Sequence, residues 1–194
     1  MQSFKLRSFG LATLVAACSL AFVGCTTTRP EDQASGSSSR TSINAQVDAS
    51  LSKLYDTVPG SRELVAKSQG VLVFPAVVGA SFGIGAEYGR GALRVKGQTV
   101  SYYSTTAGSI GFQAGAQSKA VIYLFTTRDA LDKFRNSSGW TVGADATVAV
   151  ANVGANGSVD TNTVQQPVVG FVMTNVGLEA GVSLQGAKIT QIQF

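Results

Sequence analysis

The side chains able to do chemistry in this sequence are few, and what is missing narrows the field first. There is no histidine, and the only cysteines are Cys18 and Cys25. Ser-His-Asp and Cys-His catalysis therefore lack their base, and zinc sites built on His and Cys lack ligands. Carboxylates, lysines and tyrosines remain. Glu87 is the sole charge between Phe74 and Arg90, in a stretch that reads as half buried. If it faces inward it needs a cation such as Arg90, Arg94 or Lys119. No second carboxylate lies near it in sequence, so paired acid/base catalysis is not supported. Asp145, Asn152, Asn156 and Asp160 are oxygen-rich but lack the EF-hand spacing and its closing Glu, and read as a solvated turn. Gly83-Ile84-Gly85 begins like a dinucleotide loop, but the next glycine is Gly89 and no ribose-binding acid follows. Ser50-Leu51-Ser52-Lys53 matches Ser-x-x-Lys without a Lys-Thr-Gly partner. The expectation is a protein that is not an enzyme and carries no cofactor and no metal.

The cysteines have a different use. Lys5 and Arg7 form a short positive region, an apolar run follows from Phe9 to Val23, and the small Gly24 precedes Cys25. That pattern reads as a secretory leader over residues 1–24. The run is short for a spanning helix, which needs about 20 apolar residues. Val23-Gly24-Cys25 resembles a lipobox, in which the cysteine thiol is acylated and becomes the first mature residue, here with Phe22 in place of the usual Leu. Val15-Ala16-Ala17-Cys18 also fits; Cys25 is favoured because Leu20–Val23 is apolar and Thr26 onward is polar. Thr26, rather than Asp, behind the cysteine points to the outer membrane of a two-membrane cell. The expected location is the cell envelope, lipid-anchored, facing the periplasm or the surface. Loss of Lys5 and Arg7 with the leader lowers the formal net charge of +4 by two. A nucleic-acid partner is not expected, since that calls for a basic stripe.

These groups must be positioned by the rest of the chain. Residues 25–41, rich in Ser, Thr and Gly, read as a flexible tether, and residues 42–194 as one domain. Ile43, Val47, Leu51, Leu54 and Val58 share one helical face, with Ser42 as N-cap and Pro59-Gly60 as the stop. A short helix follows at Arg62–Ser68. From Val71 the pattern turns to strands: Val71–Phe74, Ser81–Tyr88, Gly91–Lys96, Thr99–Ser104 across a Gly97-Gln98 turn, Ser109–Ala116 and Val121–Phe125. A helix at Thr127–Asn136 interrupts them. Further strands are expected at Trp140–Ala151, Gly154–Asp160, Val168–Thr174, Leu178–Leu184 and Lys188–Phe194. The fold class is α+β, mostly antiparallel β: a strongly curved sheet or barrel-like core with an N-terminal amphipathic helix and one or two short helices. Gly83, Gly85, Gly111, Gly115, Gly143 and Gly154 permit tight curvature or close approach of a second layer.

Two blocks, Lys67-Ser68-Gln69-Gly70-Val71-Leu72-Val73-Phe74-Pro75 and Phe82-Gly83-Ile84-Gly85-Ala86-Glu87-Tyr88-Gly89-Arg90-Gly91, resemble the core signature of the SYLF domain family. Ala107–Gln117, Val121–Phe134, Asn136–Trp140 with Gly143-Ala144-Asp145, and Gly177-Leu178 through Gly186–Ile189 agree in order and spacing. The resemblance spans roughly Arg62 to Ile192. Eukaryotic members bind phosphoinositides and fungal ones also actin, through an amphipathic helix and basic residues. The resemblance thus implies lipid binding, with bacterial phospholipids as ligands and no actin in an exported protein's compartment. The helix Ile43–Val58 carries only Lys53, opposed by Asp48 and Asp56, so core packing is its expected role rather than anionic membrane binding. Candidate headgroup contacts are Lys53, Arg62, Lys67, Arg90, Arg94, Lys96 and Lys119. The alternative is a structural lipoprotein that meets other envelope proteins.

Overall fold

The computed structural model describes residues 31–151, 159, 163 and 165–194, and their side chains from Gly36 onward apart from those of 80–84 and 109–117. Cys18, Cys25, Asn152, Asn156, Gly154 and Asp160 lie outside the described residues. So does most of the strand expected at Gly154–Asp160.

Helix α1 runs from Glu31 to Thr57. Ile43, Val47, Leu51, Leu54 and Val58 form its buried line, and α2 (Ser61–Lys67) follows the turn at Gly60, whose φ of 80° suits glycine. The helix begins well before Ser42, so the part of the expected tether from Glu31 to Thr41 is helical. Tertiary contact explains the difference. Arg40 donates to the Phe194 carbonyl at 2.5 Å, and buried Gly36 lies against the Phe194 backbone. Such contacts hold a segment whose own helix propensity is poor. Ser42 is consequently no cap; its hydroxyl accepts a bond from Gln46 within the helix.

The expected short strands between Val71 and Phe125 merge into one long hairpin, β1 (Gly70–Val95) and β2 (Gln98–Phe125). The turn lies at Lys96-Gly97, one residue earlier than expected. Lys96 (φ 50°) and Gly97 (φ 79°) are both left-handed, as a two-residue hairpin loop requires. The glycines bend the ladder without ending it: Gly83 pairs Gly111, and the register shifts between Phe74 and Val77 and between Ser81 and Gly83. Pro75, which has no N–H for the ladder, sits in the first of these shifts.

The bends fold β1 back on itself. A Cβ on Gly91 would run into the Val73 carbonyl, and one on Gly89 would lie 2.9 Å from that of Ala76. Close approach of two backbones is what these two glycines supply. Strands β3 (Trp140–Thr141), β4 (Ala149–Val150), β5 (Val168–Thr174), β6 (Gly177–Leu178) and β7 (Lys188–Ile192) complete the sheet. Its order is β3-β7-β2-β5-β4, with β1 on β2 and β6 on β5. All pairs are antiparallel except β4 with β5. The result is a strongly curled half-barrel.

Both faces of this sheet are buried, which explains its continuous apolar runs. Val71, Val73, Ile122, Leu124, Val169 and Phe171 pack against α1. Leu72, Phe74, Val121, Tyr123, Phe125 and Val172 face the other way, into the hollow of the curl. Helix α3 (Arg128–Asn136) covers that hollow with Leu131 and Phe134. Thr127 caps it by accepting from the Ala130 N–H at 3.3 Å. Phe134 sits 4.8 Å from Phe125, 4.9 Å from Tyr103 and 5.4 Å from Trp140 between ring centres. Both cores are built from residues between Ile43 and Phe194, within the compact unit Glu31–Phe194.

Two expected strands are corrected. Trp140–Ala151 keeps strand structure only at its two ends, since the chain turns where the Thr141 N–H donates to Asp145 at 2.6 Å and Gly143 takes φ 90°. Leu178–Leu184 is strand only at Leu178, the end of β6; the Glu179 N–H still donates to the Val172 carbonyl at 2.8 Å, and farther on Gly181 takes φ 75°.

Candidate functional site

The candidate basic residues do not form one patch. Arg62, Arg94 and Lys96 line a cleft of about 410 Å3 between the helices and the hairpin end. The α1 contribution is Leu51 and Tyr55; α2 brings Arg62 and Val65; β1 brings Val71 and Arg94, with Lys96 in the turn. The two ends of β1 meet here because the hairpin folds back, so residues far apart in sequence share one wall.

Each cation is held differently. The Arg62 guanidinium lies 4.4 Å over the Tyr55 ring, a cation–π contact that orients it without a counter-charge. Arg94 is largely buried, its side chain 15% exposed; it donates to Asp48 at 2.5 Å and to the Asn44 carbonyl at 3.3 Å. Among the described residues its sealed Nε has no partner, a cost of about 1–3 kcal/mol that the surrounding packing must offset. Lys96 is exposed in the turn. Asp48 is 66% exposed, and the bond from Arg94 holds its carboxyl below the ordinary value despite a smaller opposing effect of burial. Burial pushes the Tyr55 hydroxyl above its ordinary value, partly offset by Arg62 and Arg94. Tyr55 therefore stays a neutral donor at neutral pH. The walls are apolar and the charges sum to an excess of positive, a combination that suits an anionic group attached to something greasy.

The other candidates lie elsewhere. Lys53 donates to the Thr174 carbonyl at 2.8 Å. Lys67 is exposed in the last turn of α2 and is not part of the cleft wall. Arg90 lines a separate open groove with Ser42, Gln46 and Tyr88, 5.9 Å from the Phe194 ring. Lys119 pairs with Glu87 at 2.9 Å, the partner choice that the sequence left open among Arg90, Arg94 and Lys119. Helix α1 turns its apolar line to the core, in keeping with its expected packing role. Sequence reasoning missed Tyr55, whose ring orients Arg62. The seven-residue separation within Asp56-flanked helical sequence gave no signal, because the contact crosses the Pro59-Gly60 turn.

The fold is a curled, mostly antiparallel sheet backed by a long helix, and among the described residues no helix is long and apolar enough to cross a membrane. Residues 106–193, from within β2 to beyond β7, match the family model Ysc84, described as Las17-binding protein actin regulator. The match is consistent with a protein of the SYLF domain family, a family associated with lipid and actin binding. No curated protein gives a significant match.

Proposed function

We propose that the domain is a non-enzymatic phospholipid-binding module, which takes an anionic headgroup in the cleft of Arg62, Arg94 and Lys96. The observation that carries this reading is the convergence of those three cations on one apolar-walled cleft that no carboxylate lines among the described residues, with Asp48 paired to Arg94. A headgroup phosphate would meet Arg62 and Lys96 at the mouth, while Leu51, Val65 and Val71 border the glycerol end. The membrane in question is that of the cell envelope, to which an acylated Cys25 would anchor the chain. On that location actin is not its partner, although the family description refers to it.

A tethered domain needs little affinity of its own, so the contact would orient the domain on the surface. The test is vesicle flotation of the unit Glu31–Phe194 with phosphatidylglycerol-containing and with pure phosphatidylcholine vesicles. Preference for the anionic vesicles at low salt, fading as salt rises, is expected. Equal recovery on both, at low salt, would discard the proposal and favour a role in contacts with envelope proteins.

A further inference from the structure

The concave side of the sheet holds a second cavity, of about 290 Å3, that the reading above does not use. The Glu87–Lys119 pair lines it, each side chain about four-fifths buried, together with Thr105, Tyr123 and Gln185. Tyr123 is 1% exposed and Thr105 5% exposed. Among the described residues neither hydroxyl makes a hydrogen bond, and both belong to the cavity wall. A buried Tyr hydroxyl ordinarily finds a partner, and both of these open onto the cavity, where a bound group can supply one. Burial, and after it the charge of Glu87, push the Tyr123 hydroxyl above its ordinary value. It therefore remains a donor throughout the physiological range.

The wall thus offers one acceptor of negative charge and several donors. A simple anion would face Glu87, and a simple cation would face Lys119. Either would leave a charge opposed in a site of low polarity, which is costly. A molecule bearing both signs can insert between them: its ammonium replaces Lys119 beside Glu87, and its oxyanion takes Lys119. Three donors, from Lys119, Tyr123 and Thr105, match the three oxygens of a phosphate better than the two of a carboxylate. The volume accommodates a small molecule or a headgroup and not two acyl chains. We infer that this cavity binds an aminoethyl phosphate group, lodged between Glu87 and Lys119 with its oxygens on Tyr123 and Thr105. The aminoethyl phosphate is common to free phosphoethanolamine, a monoester with three terminal oxygens, and to a phospholipid headgroup, a diester with two terminal oxygens and a further ester oxygen.

The unit Glu31–Phe194 contains both cores and one tryptophan, Trp140, whose ring meets that of Tyr123 edge-on at 6.1 Å. Trp140 fluorescence is therefore a local reporter. Titration with O-phosphoethanolamine should give a saturable change. Inorganic phosphate or ethanolamine alone should bind at least tenfold more weakly, as should O-phosphoethanolamine to Glu87→Gln and Tyr123→Phe. Thr105→Val serves if Tyr123→Phe does not fold. Flotation with phosphatidylethanolamine and phosphatidylcholine vesicles separates the sources. Binding of free O-phosphoethanolamine marks a soluble ligand, and selective flotation with phosphatidylethanolamine marks a lipid one. Inorganic phosphate binding as well as O-phosphoethanolamine, or variants binding like the parent, would overturn the inference, as would no response to the free compound or to either vesicle. Both vesicles are without net charge, so that failure would leave the anionic cleft untouched.

Discussion

Replacing Arg62 and Lys96 together by Gln tests the cleft most directly. Arg94 is left alone, because removing it would strip Asp48 of its bond and unpack a largely buried side chain. Arg62 and Lys96 serve no core: one rests on Tyr55 and the other stands in an exposed turn. Each basic residue held at an anionic surface is worth about 1 kcal/mol. Losing both should cost about 2 kcal/mol, a roughly 30-fold fall in vesicle partitioning. The control carries the same change in net charge outside the cleft wall, at Lys133 and Lys188. Partitioning of the unit Glu31–Phe194 would be measured by flotation on phosphatidylglycerol vesicles across a salt series, with thermal midpoints to show that folding is intact. The gap between cleft variant and parent should narrow as the screening length falls from about 10 Å at 0.1 M salt to about 3 Å at 1 M. An equal loss in the control would show that net charge, not the cleft, attracts the membrane, and the localisation would be wrong.

Three further outcomes follow from the structure. Gly91→Ala places a Cβ against the Val73 carbonyl, and overpacking at a backbone contact should cost at least about 1–3 kcal/mol in urea unfolding; a neutral result would mean the two arms of β1 are not in contact. The Asp48 carboxyl is depressed by Arg94, so its stabilisation is complete above the ordinary value near 3.8 and is lost as pH falls toward the depressed one. The thermal midpoints of parent and Asp48→Asn should therefore differ at neutral pH and converge in acid below that value; a gap that persists there would rule out this origin. In cells fed a labelled palmitate analogue, Cys25→Ser should abolish incorporation and Cys18→Ser should not, and the reverse pattern would move the anchor to Cys18.

Much of the scaffold was legible because it depends on local periodicity. The apolar line from Ile43 to Val58 and the helix around Leu131 and Phe134 follow the 3.6-residue repeat, and Val168–Thr174 is strand as expected. Runs such as Val121–Phe125 are apolar throughout because α1 covers one face and α3 with the curl covers the other. The boundaries that failed all depended on distant partners. Glu31–Thr41 is helical through its contact with Phe194, and the short strands expected between Val71 and Phe125 join into two long ones, bent where glycines permit curvature as expected. The strands expected at 140–151 and 178–184 shrink where Asp145 draws the chain into a turn and where Gly181 takes a left-handed conformation.

For function, the residue inventory alone excluded His- and Cys-based chemistry and drew attention to Cys25, the scattered cations and the lone Glu87. It could not group them. Arg62 and Arg94 share a cleft only because the hairpin doubles back at Gly89 and Gly91. Glu87 meets Lys119 because β1 doubles back: Lys119 pairs opposite Val77, and Val77 lies against Gly89, two residues from Glu87. Pattern along a chain specifies which residues are buried, since burial on a helix or strand repeats with the local geometry. Which charges meet is a matter of chain reversal over tens of residues, and only the closed fold decides it.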